Sequence, residues 1–267
     1  RGPDDISPES IAIDKDQRLV ICGQFINYAD FDPTTSTTIV QPPQLESKGF
    51  VVKLNNDGSY IRAFHTEGNG PTSYRAIQSG SGSSMYVFGS NSGNPDLDPG
   101  SGIYRFGGSG HHIIKLDSLG NLVWLRHLKG VYGGISDRLI IDSQENIVLS
   151  GLYGGVVFFS SGYFGPALQP VIGTRNFMIA KYTSTGKYLW STGVGIPWNS
   201  NMYSLMLGLN DEVVVSGYFS DSMRVDPYNN QLLRSSNSLE CFVAKFQNCP
   251  PLSDTTLILS ACGFYDY

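Results

Sequence analysis

The sequence predicts an all-β protein built from repeats of 62–66 residues. Apolar runs that end on a glycine occur four times, and the terminal glycines Gly23, Gly89, Gly151 and Gly217 are separated by 66, 62 and 66 residues. No segment has the apolar spacing of a helix. Four short strands per unit, repeated without helices, are typical of the blades of a β-propeller. A four-stranded sheet buries neither face alone, so such units must stack on one another.

Composition limits the classes of partner. The chain has 267 residues, of which 40% are hydrophobic, enough for a large core. Its formal net charge is -5 and its basic residues are scattered, so neither nucleic acid nor membrane insertion is expected. The four cysteines are too few for a disulfide scaffold and lack the spacing of zinc ligands.

The first two strands of each unit are joined by a tight turn. The first strand is short and mostly apolar, and turn-forming residues follow it; its four copies are 11–13, 77–79, 139–141 and 205–207. The second strand is the glycine-ended run. Its Val, Ile and Leu content without strict alternation predicts a sheet that is buried on both faces.

The third and fourth strands form a hairpin. The third strands are predicted at 50–54, 112–116, 178–182 and 242–246, and each carries a lysine at the same place: Lys53, Lys115, Lys181 and Lys245. We interpret these lysines as structural, with the ammonium paired to an acidic neighbour. Gly58, Gly120 and Gly186 then supply turns that need positive φ, and fourth strands follow at 60–64, 122–125 and 188–190.

Long loops rich in Gly, Pro, Ser and Thr connect the second and third strands, at 33–49, 99–111, 160–176 and 227–240. Variable loops on a fixed scaffold are where binding is usually found. The aromatic residues Tyr104, Phe106, Tyr163 and Phe164 are therefore candidate ligand-binding residues. The alternative is that these side chains fold back over the blades.

Two pairs of carboxylates begin these loops, Asp30 with Asp32 and Asp96 with Asp98. Residues two apart in an extended segment share a face, so each pair could offer oxygens to a structural calcium ion. An Asp before Pro also forms an Asx-type turn that ends a strand, and we favour this role. An acid and base pair of the glycosidase type is a third interpretation. No other cofactor is expected.

Motifs of known enzymes are absent from the sequence. It has no Gly-x-Ser-x-Gly elbow, no phosphate-binding glycine loop and no His-Glu-x-x-His. The adjacent His111 and His112 open a third strand, where neighbours point to opposite faces, which disfavours a shared metal ion. The sequence therefore predicts a non-enzymatic binding module; a carbohydrate-processing enzyme or its accessory module is the alternative.

The repeat resembles the SBBP-type β-propeller repeats found in secreted proteins of Bacteroidota and other bacteria. The resemblance covers about residues 10–249 and depends most on the segments 30–33, 96–100 and 225–227. It implies a secreted or cell-surface, adhesin-like protein of the type nine secretion class. The implied partners are a cell-surface protein or polysaccharide and other domains of the same longer chain.

The resemblance also suggests how the chain is divided. Propeller repeats are expected over 1–249, with blades at about 10–66, 74–130, 136–193 and 202–249; the last lacks its fourth strand. Residues 250–267 resemble a linker and the start of a Cys-containing β module. An incomplete ring is therefore expected, either an open arc or a ring closed by further sequence, unless the segment 255–261 fills the gap.

The cysteines are expected to fall into two classes. We predict a disulfide between Cys249 and Cys262, because they flank a short extended segment whose closure stabilises the fold by roughly 3 kcal/mol. Cys22 and Cys241 are expected to remain free. Cys22 lies where the other units carry Phe88, Ser150 and Ser216, which suits a small buried thiol.

Overall fold

The computed structural model describes residues 6–34, 36–41, 45–105, 107–132, 137–159, 166–170, 176–196, 200–224, 232–236, 239–246 and 258–262. Within these residues the secondary structure consists of antiparallel strands and one 3-10 turn, Ser81–Ser83, with no α-helix. The predicted all-β class is therefore confirmed. The chain divides into two compact units, Arg1–Leu128 and Lys129–Tyr267.

The first sheet of the first unit contains four antiparallel strands in the order β1-β2-β5-β6. Their bounds are β1 (Ile6–Ile13), β2 (Leu19–Phe25), β5 (Lys48–Leu54) and β6 (Tyr60–His65). The loop between the second and third of these strands contains a small hairpin of β3 (Ala29–Asp30) and β4 (Ile39–Val40).

The second sheet of this unit repeats the same connectivity. Its strands are β8 (Thr72–Ser79), β9 (Met85–Asn91), β11 (Gly110–Leu116) and β12 (Leu122–Tyr132). Two shorter strands, β7 (Glu67–Asn69) and β10 (Asn94–Asp96), pair with each other.

The second unit contains the third and fourth sheets. The third consists of β13 (Arg138–Ile141), β14 (Ile147–Phe158), β16 (Asn176–Tyr182) and β17 (Tyr188–Gly195), with β15 (Ala167–Leu168) paired to the end of β14. Residues 129–132, the last of β12, also pair with β14. The fourth sheet consists of β18 (Asn201–Leu207), β19 (Val213–Phe219), β22 (Glu240–Phe246) and β23 (Ile258–Cys262). A short hairpin of β20 (Ser222–Arg224) and β21 (Leu232–Arg234) lies in its long loop.

The fourth sheet takes its last strand from the tail of the chain, the alternative that the sequence left open. The sequence predicted three strands there unless the segment 255–261 filled the gap, and β23 pairs with β22 over Lys245↔Ile258 to Cys241↔Cys262. An unpaired edge leaves backbone N–H and C=O groups without partners, and any extended apolar segment can satisfy them. The signature of the other fourth strands, a glycine turn followed by Trp, is therefore not required.

Apolar faces of consecutive sheets pack together within each unit. In the first unit, Val20 and Val51 of the first sheet share a buried cluster with Tyr74 and Val87 of the second. In the second unit, a buried cluster joins the third and fourth sheets, and its members include Phe177, Ile179, Met202, Val213 and Phe242. Residues 147–151 of β14, a predicted second strand, are all buried, in agreement with the prediction from its non-alternating sequence.

The glycine that ends each predicted second strand has a packing role. In the first, second and fourth sheets, the first strand has a β-bulge at the point where it faces this glycine. A Cβ atom on Gly217 would overlap the backbone carbonyl oxygen of Asn201, and Gly23 and Gly89 face equivalent carbonyls. The glycine recurs because only a residue without a side chain allows this approach.

Candidate functional site

The long loop of the first sheet begins with a hairpin closed by a carboxylate. Oδ1 of Asp30 accepts hydrogen bonds from the backbone N–H groups of Asp32 (3.1 Å) and Thr38 (2.9 Å). The N–H of Phe31 donates to the carbonyl of Thr38 across the hairpin (3.3 Å). Asp32 in turn accepts from the N–H (2.9 Å) and hydroxyl (2.7 Å) of Thr34.

The second sheet reproduces this geometry 66 residues later. Oδ1 of Asp96 accepts from the N–H groups of Asp98 (3.1 Å) and Tyr104 (2.8 Å), and the N–H of Leu97 donates to the carbonyl of Tyr104 (2.8 Å). Asp98 accepts from the N–H of Gly100 (2.8 Å). Both carboxylate pairs thus close Asx-type turns, the role that the sequence analysis favoured.

Structural calcium at these pairs stays a prediction. Within the described residues, no three His, Cys, Asp or Glu side chains come together as a metal-binding group. A calcium ion takes six to eight oxygens, so an ion bound by either pair would draw its remaining oxygens from backbone carbonyls or water.

An apolar side chain between the two carboxylates fixes each hairpin to its sheet. Phe31 is buried against Phe25 and Phe50, at ring-centroid distances of 5.4 Å and 4.7 Å. Leu97, the equivalent residue, is buried in the cluster between the first two sheets. In the third sheet Phe159 is buried at this position and donates its N–H to the carbonyl of Pro166 (3.2 Å), although Phe158 replaces the first Asp. The buried apolar residue is therefore the common feature.

Lys48 joins the end of the first long loop to the connection between the first two sheets. Its side chain is completely buried, and Nζ donates to the carbonyls of Gly68 (2.8 Å) and Gly70 (2.9 Å) and to Oε2 of Glu46 (3.0 Å). The N–H of Gly70 also donates to this carboxylate oxygen (2.7 Å). The Gly70 amide, followed by the Lys48 ammonium, holds the pKa of Glu46 below its ordinary value.

The same connection continues into the long loop of the second sheet. Strand β7 pairs with β10 in the register Glu67↔Asp96 to Asn69↔Asn94, and the N–H of Ser92 donates to the carbonyl of Pro71 (3.0 Å). A chain of backbone contacts therefore links the two long loops. We call the surface formed by residues 36–41, 45–48, 66–72 and 92–105 the loop surface.

Large apolar side chains project from the loop surface into solvent. Leu45 is 81% exposed, Ile103 75%, Ile39 60% and Tyr104 38%. Of the aromatic residues selected from the sequence, Tyr104 is thus placed on this surface. Phe106, Tyr163 and Phe164 lie outside the described residues. The three aliphatic residues were not predicted, because a single apolar residue in a polar loop has no periodic pattern.

The recurrent lysines are structural in the sheets where an acid is within reach. Nζ of Lys53 lies 2.7 Å from Asp14 and Nζ of Lys181 lies 2.7 Å from Asp142, and both ion pairs are buried. Lys245 pairs with Glu212 at 2.9 Å in a more exposed position. These pairs confirm the predicted role. In the second sheet Gly80 stands where the first and third sheets have Asp14 and Asp142. Lys115 lies over the ring of Tyr86.

The three histidines of the second sheet are buried. His111 lies against Phe88 (5.5 Å between ring centroids), whereas His112 lies against Tyr74 (5.9 Å) and its Nδ1 is 3.2 Å from Oδ1 of Asn91. The two neighbours therefore have different surroundings, as expected. Register places His127 opposite His112. Burial, and then the nearby His127 and His111, lower the pKa of His112 to about 3, so this imidazole is uncharged at neutral pH.

The cysteines agree with the prediction as far as the described residues extend. Cys22 is a buried free thiol in the cluster between the first two sheets, and Cys241 is a partly exposed free thiol. Cys249 lies outside the described residues, so its pairing with Cys262 stays a prediction.

Comparison with known proteins gives one distant sequence relative, and no family model matches the chain. An uncharacterised WD repeat-containing protein of Acanthamoeba polyphaga mimivirus is 25% identical over 142 residues, which are 51% of this chain and 10% of that protein. The chain therefore spans about a tenth of the length of this relative.

Within the described residues, no helix is long and apolar enough to cross a membrane.

The solved structures that are similar include one of low similarity. It is the crystal structure of a protein of unknown function from Bacteroides caccae, with a TM-score of 0.42 and 8% identity. The similarity covers 93% of this chain and 73% of that chain.

Proposed function

We propose that the chain is part of a β-propeller whose loop surface binds a protein partner, within a larger exported protein. The propeller arrangement is supported by groups of four antiparallel strands that follow one another in sequence and, within each unit, pack through apolar faces. The similarity to a WD repeat-containing protein adds support, because WD repeats form propeller blades of four strands. Export and a cell-surface location are part of the proposal and depend on the resemblance to SBBP-type repeats.

The exposure of Leu45, Ile103 and Ile39 carries the proposal for binding. Exposed apolar side chains that form a contiguous patch mark interaction sites on soluble proteins, and we propose that these three side chains contribute to one such patch. Here they stand on a backbone that is fixed by the Asp30 and Asp96 hairpins and by Lys48. A pre-ordered surface loses little conformational entropy on association, so more of the interaction energy appears as affinity.

The chemistry of these side chains favours a protein over a polysaccharide. Sugar rings are held by aromatic faces and hydrogen bonds, and Tyr104 is the one aromatic side chain among the exposed large apolar residues of the described loop surface. Aliphatic anchors instead fit apolar pockets on a protein. We propose a non-enzymatic role because the exposed aliphatic side chains of this surface offer apolar contacts for binding.

A binding assay with surface variants tests this proposal. Purified wild-type protein and the double variant Leu45→Ser, Ile103→Ser would be titrated against intact cells of the source organism. Leu119→Ser is the matched control, because Leu119 is an exposed leucine in the turn between β11 and β12, outside the loop surface. We expect the double variant to lose at least tenfold in affinity and the control to bind as wild type does.

Treatment of the cells distinguishes the classes of ligand. Digestion of surface proteins with protease should abolish binding, whereas periodate oxidation of glycans should leave it unchanged. Equal affinity of the double variant, with an unchanged circular dichroism spectrum, would remove the loop surface from consideration. Release of soluble sugars during the assay would favour the carbohydrate-processing alternative.

A further inference from the structure

Two cysteines occupy directly opposite positions at the edge of the fourth sheet. Cys241, near the start of β22, faces Cys262, the last residue of β23, in an antiparallel register. Cα atoms of opposite residues in such a pair are about 4.5–5.5 Å apart. Disulfides span Cα separations of about 4.4–6.8 Å. The register therefore places these two residues at disulfide separation.

Cys241 is also accessible to solvent. It is partly exposed, and Val243, two residues further along the same face of β22, is exposed as well. Cys22 differs in both respects. It is buried in the core between the first two sheets, and burial raises its pKa far above that of an ordinary thiol. Of Cys22 and Cys241, Cys241 is therefore the one open to thiol chemistry in the folded protein.

We infer that Cys241 and Cys262 are an oxidisable pair that forms a disulfide and fixes β23 to β22. The reaction with a small-molecule disulfide such as glutathione disulfide balances without any other reactant. One protein thiolate attacks the oxidant and releases one glutathione thiolate, and the second protein thiolate attacks the mixed disulfide and releases the other. Overall the two protein thiols lose two electrons and two protons, and the oxidant becomes two glutathione thiols.

The bridge would act on an edge strand of this sheet. In the strand order β18-β19-β22-β23, β23 is terminal and, among the described residues, pairs with β22. Edge strands with a single partner open locally at low free-energy cost. A covalent link between Cys241 and Cys262 would prevent this local opening of β23. This pairing also differs from the one expected from sequence, because it leaves Cys249 as a free thiol.

Peptide mapping of the full chain tests the pairing. Reduced protein would be incubated with glutathione disulfide, alkylated and digested with trypsin without reduction. Cleavage after Arg234 and Lys245 puts Cys241 in the peptide 235–245, and Cys249 and Cys262 together in 246–267. Chymotrypsin then separates Cys249 from Cys262. We expect the two tryptic peptides to be linked through Cys241 and Cys262, with Cys249 alkylated.

Other outcomes of the mapping would overturn the inference. A closed loop within 246–267 would mean that Cys249 and Cys262 pair, as the sequence analysis expected. Recovery of Cys241 in alkylated form after full oxidation would mean that no bridge to it exists.

Hydrogen exchange measures the effect on β23. Amides of 258–262 should exchange at least tenfold more slowly in oxidised than in reduced protein. The variant Cys249→Ser should keep this difference, and Cys241→Ser should lose it. Loss of the difference in Cys249→Ser, or an equal rate in both redox states of the wild type, would contradict the proposed role.

Discussion

At the scale of single residues, the unit glycine of each repeat is constrained by its neighbours rather than by its own φ angle. Gly217 has no positive φ, yet a Cβ atom there would overlap the carbonyl of Asn201 at the β-bulge of β18. Relief of this overlap requires movement of the backbone of one strand relative to the other. The bulge and the glycine therefore depend on each other.

The variant Gly217→Ala should destabilise the protein by about 1–3 kcal/mol, the usual cost of an overpacked site. Urea denaturation followed by circular dichroism measures this change. Gly155→Ala is the control, because nothing lies within 4 Å of a Cβ atom at Gly155 and its φ is not positive. Its free energy of unfolding should change by less than about 0.5 kcal/mol. Equal effects of the two substitutions would contradict the packing explanation.

His112 should make the fold sensitive to mild acid. Burial first, and then the neighbouring histidines, lower its pKa to about 3 in the folded state, whereas the unfolded chain takes up this proton near pH 6.5. Below pH 6.5 the unfolded state therefore binds more protons, and stability falls as the pH falls. Between pH 7 and pH 5 a single such group costs about 2 kcal/mol.

Urea denaturation at pH 7 and pH 5, in wild type and in His112→Gln, measures this contribution. The lysine-paired carboxylates Asp14 and Asp142 do not interfere in this window. Although burial opposes it, hydrogen bonds with Lys53 and Lys181 and with backbone amides lower the pKa of Asp14 and Asp142, so their stabilising effect is lost only at lower pH. The variant should lose markedly less stability than wild type between the two pH values. The same loss in both proteins would show that His112 does not carry the effect.

Sequence reasoning predicted some of these residue roles and missed others for identifiable reasons. The lysine pairs were predictable because Asp14 and Asp142 recur at equivalent positions. The ring contact of Lys115 was not, since Tyr86 lies on another strand. The placement of His127 opposite His112 depends on a register shift between Lys115 and Leu116, and such irregularities leave no clear pattern in a sequence.

At the scale of elements, the loop surface depends on Lys48. Two of its hydrogen bonds connect the end of one long loop to the carbonyls of Gly68 and Gly70 in the following connection, and a third reaches Glu46. This arrangement was invisible to sequence reasoning, because backbone carbonyls are present at every residue. The short hairpins in the long loops were missed for the same reason, although the Asp turns that close two of them were favoured in advance.

The variant Lys48→Met should lose roughly 2–3 kcal/mol of stability, because the carbonyls of Gly68 and Gly70 lose a buried donor. Hydrogen exchange should also accelerate at the amides of 66–72, and the affinity measured in the cell-binding assay should fall. Lys15→Met is the control, since Lys15 is an exposed lysine in the turn between β1 and β2. Unchanged exchange at 66–72 in Lys48→Met would show that this lysine does not order the loop surface.

The strands themselves were the most predictable elements. Each predicted first, second and third strand overlaps an observed strand, since apolar runs, turn residues and glycines recur together. The turn glycines Gly58, Gly120 and Gly186 have the expected positive φ. The strand β23 was predicted only as an alternative, because pairing at a sheet edge is driven by backbone groups and needs little from the side chains.

At the scale of the whole molecule, the repeat explains why the four sheets share one connectivity. Each sheet has two broad faces, and each unit of the chain buries one face of each of its two sheets in a common apolar cluster. A propeller built from such sheets would have the turns between first and second strands at one end and the long loops at the other. We propose that the chain forms part of a propeller and that the loop end carries its binding function.

An experimental crystal structure of the chain tests this proposal most directly. If the chain is part of a propeller, the crystal structure will show four-stranded antiparallel sheets that follow one another in sequence and are related by successive rotations about one axis. All four long loops should emerge at the same end, with Leu45 and Ile103 exposed there. Two sheets packed face to face and joined by Greek-key connections, or long loops that emerge at opposite ends, would contradict it.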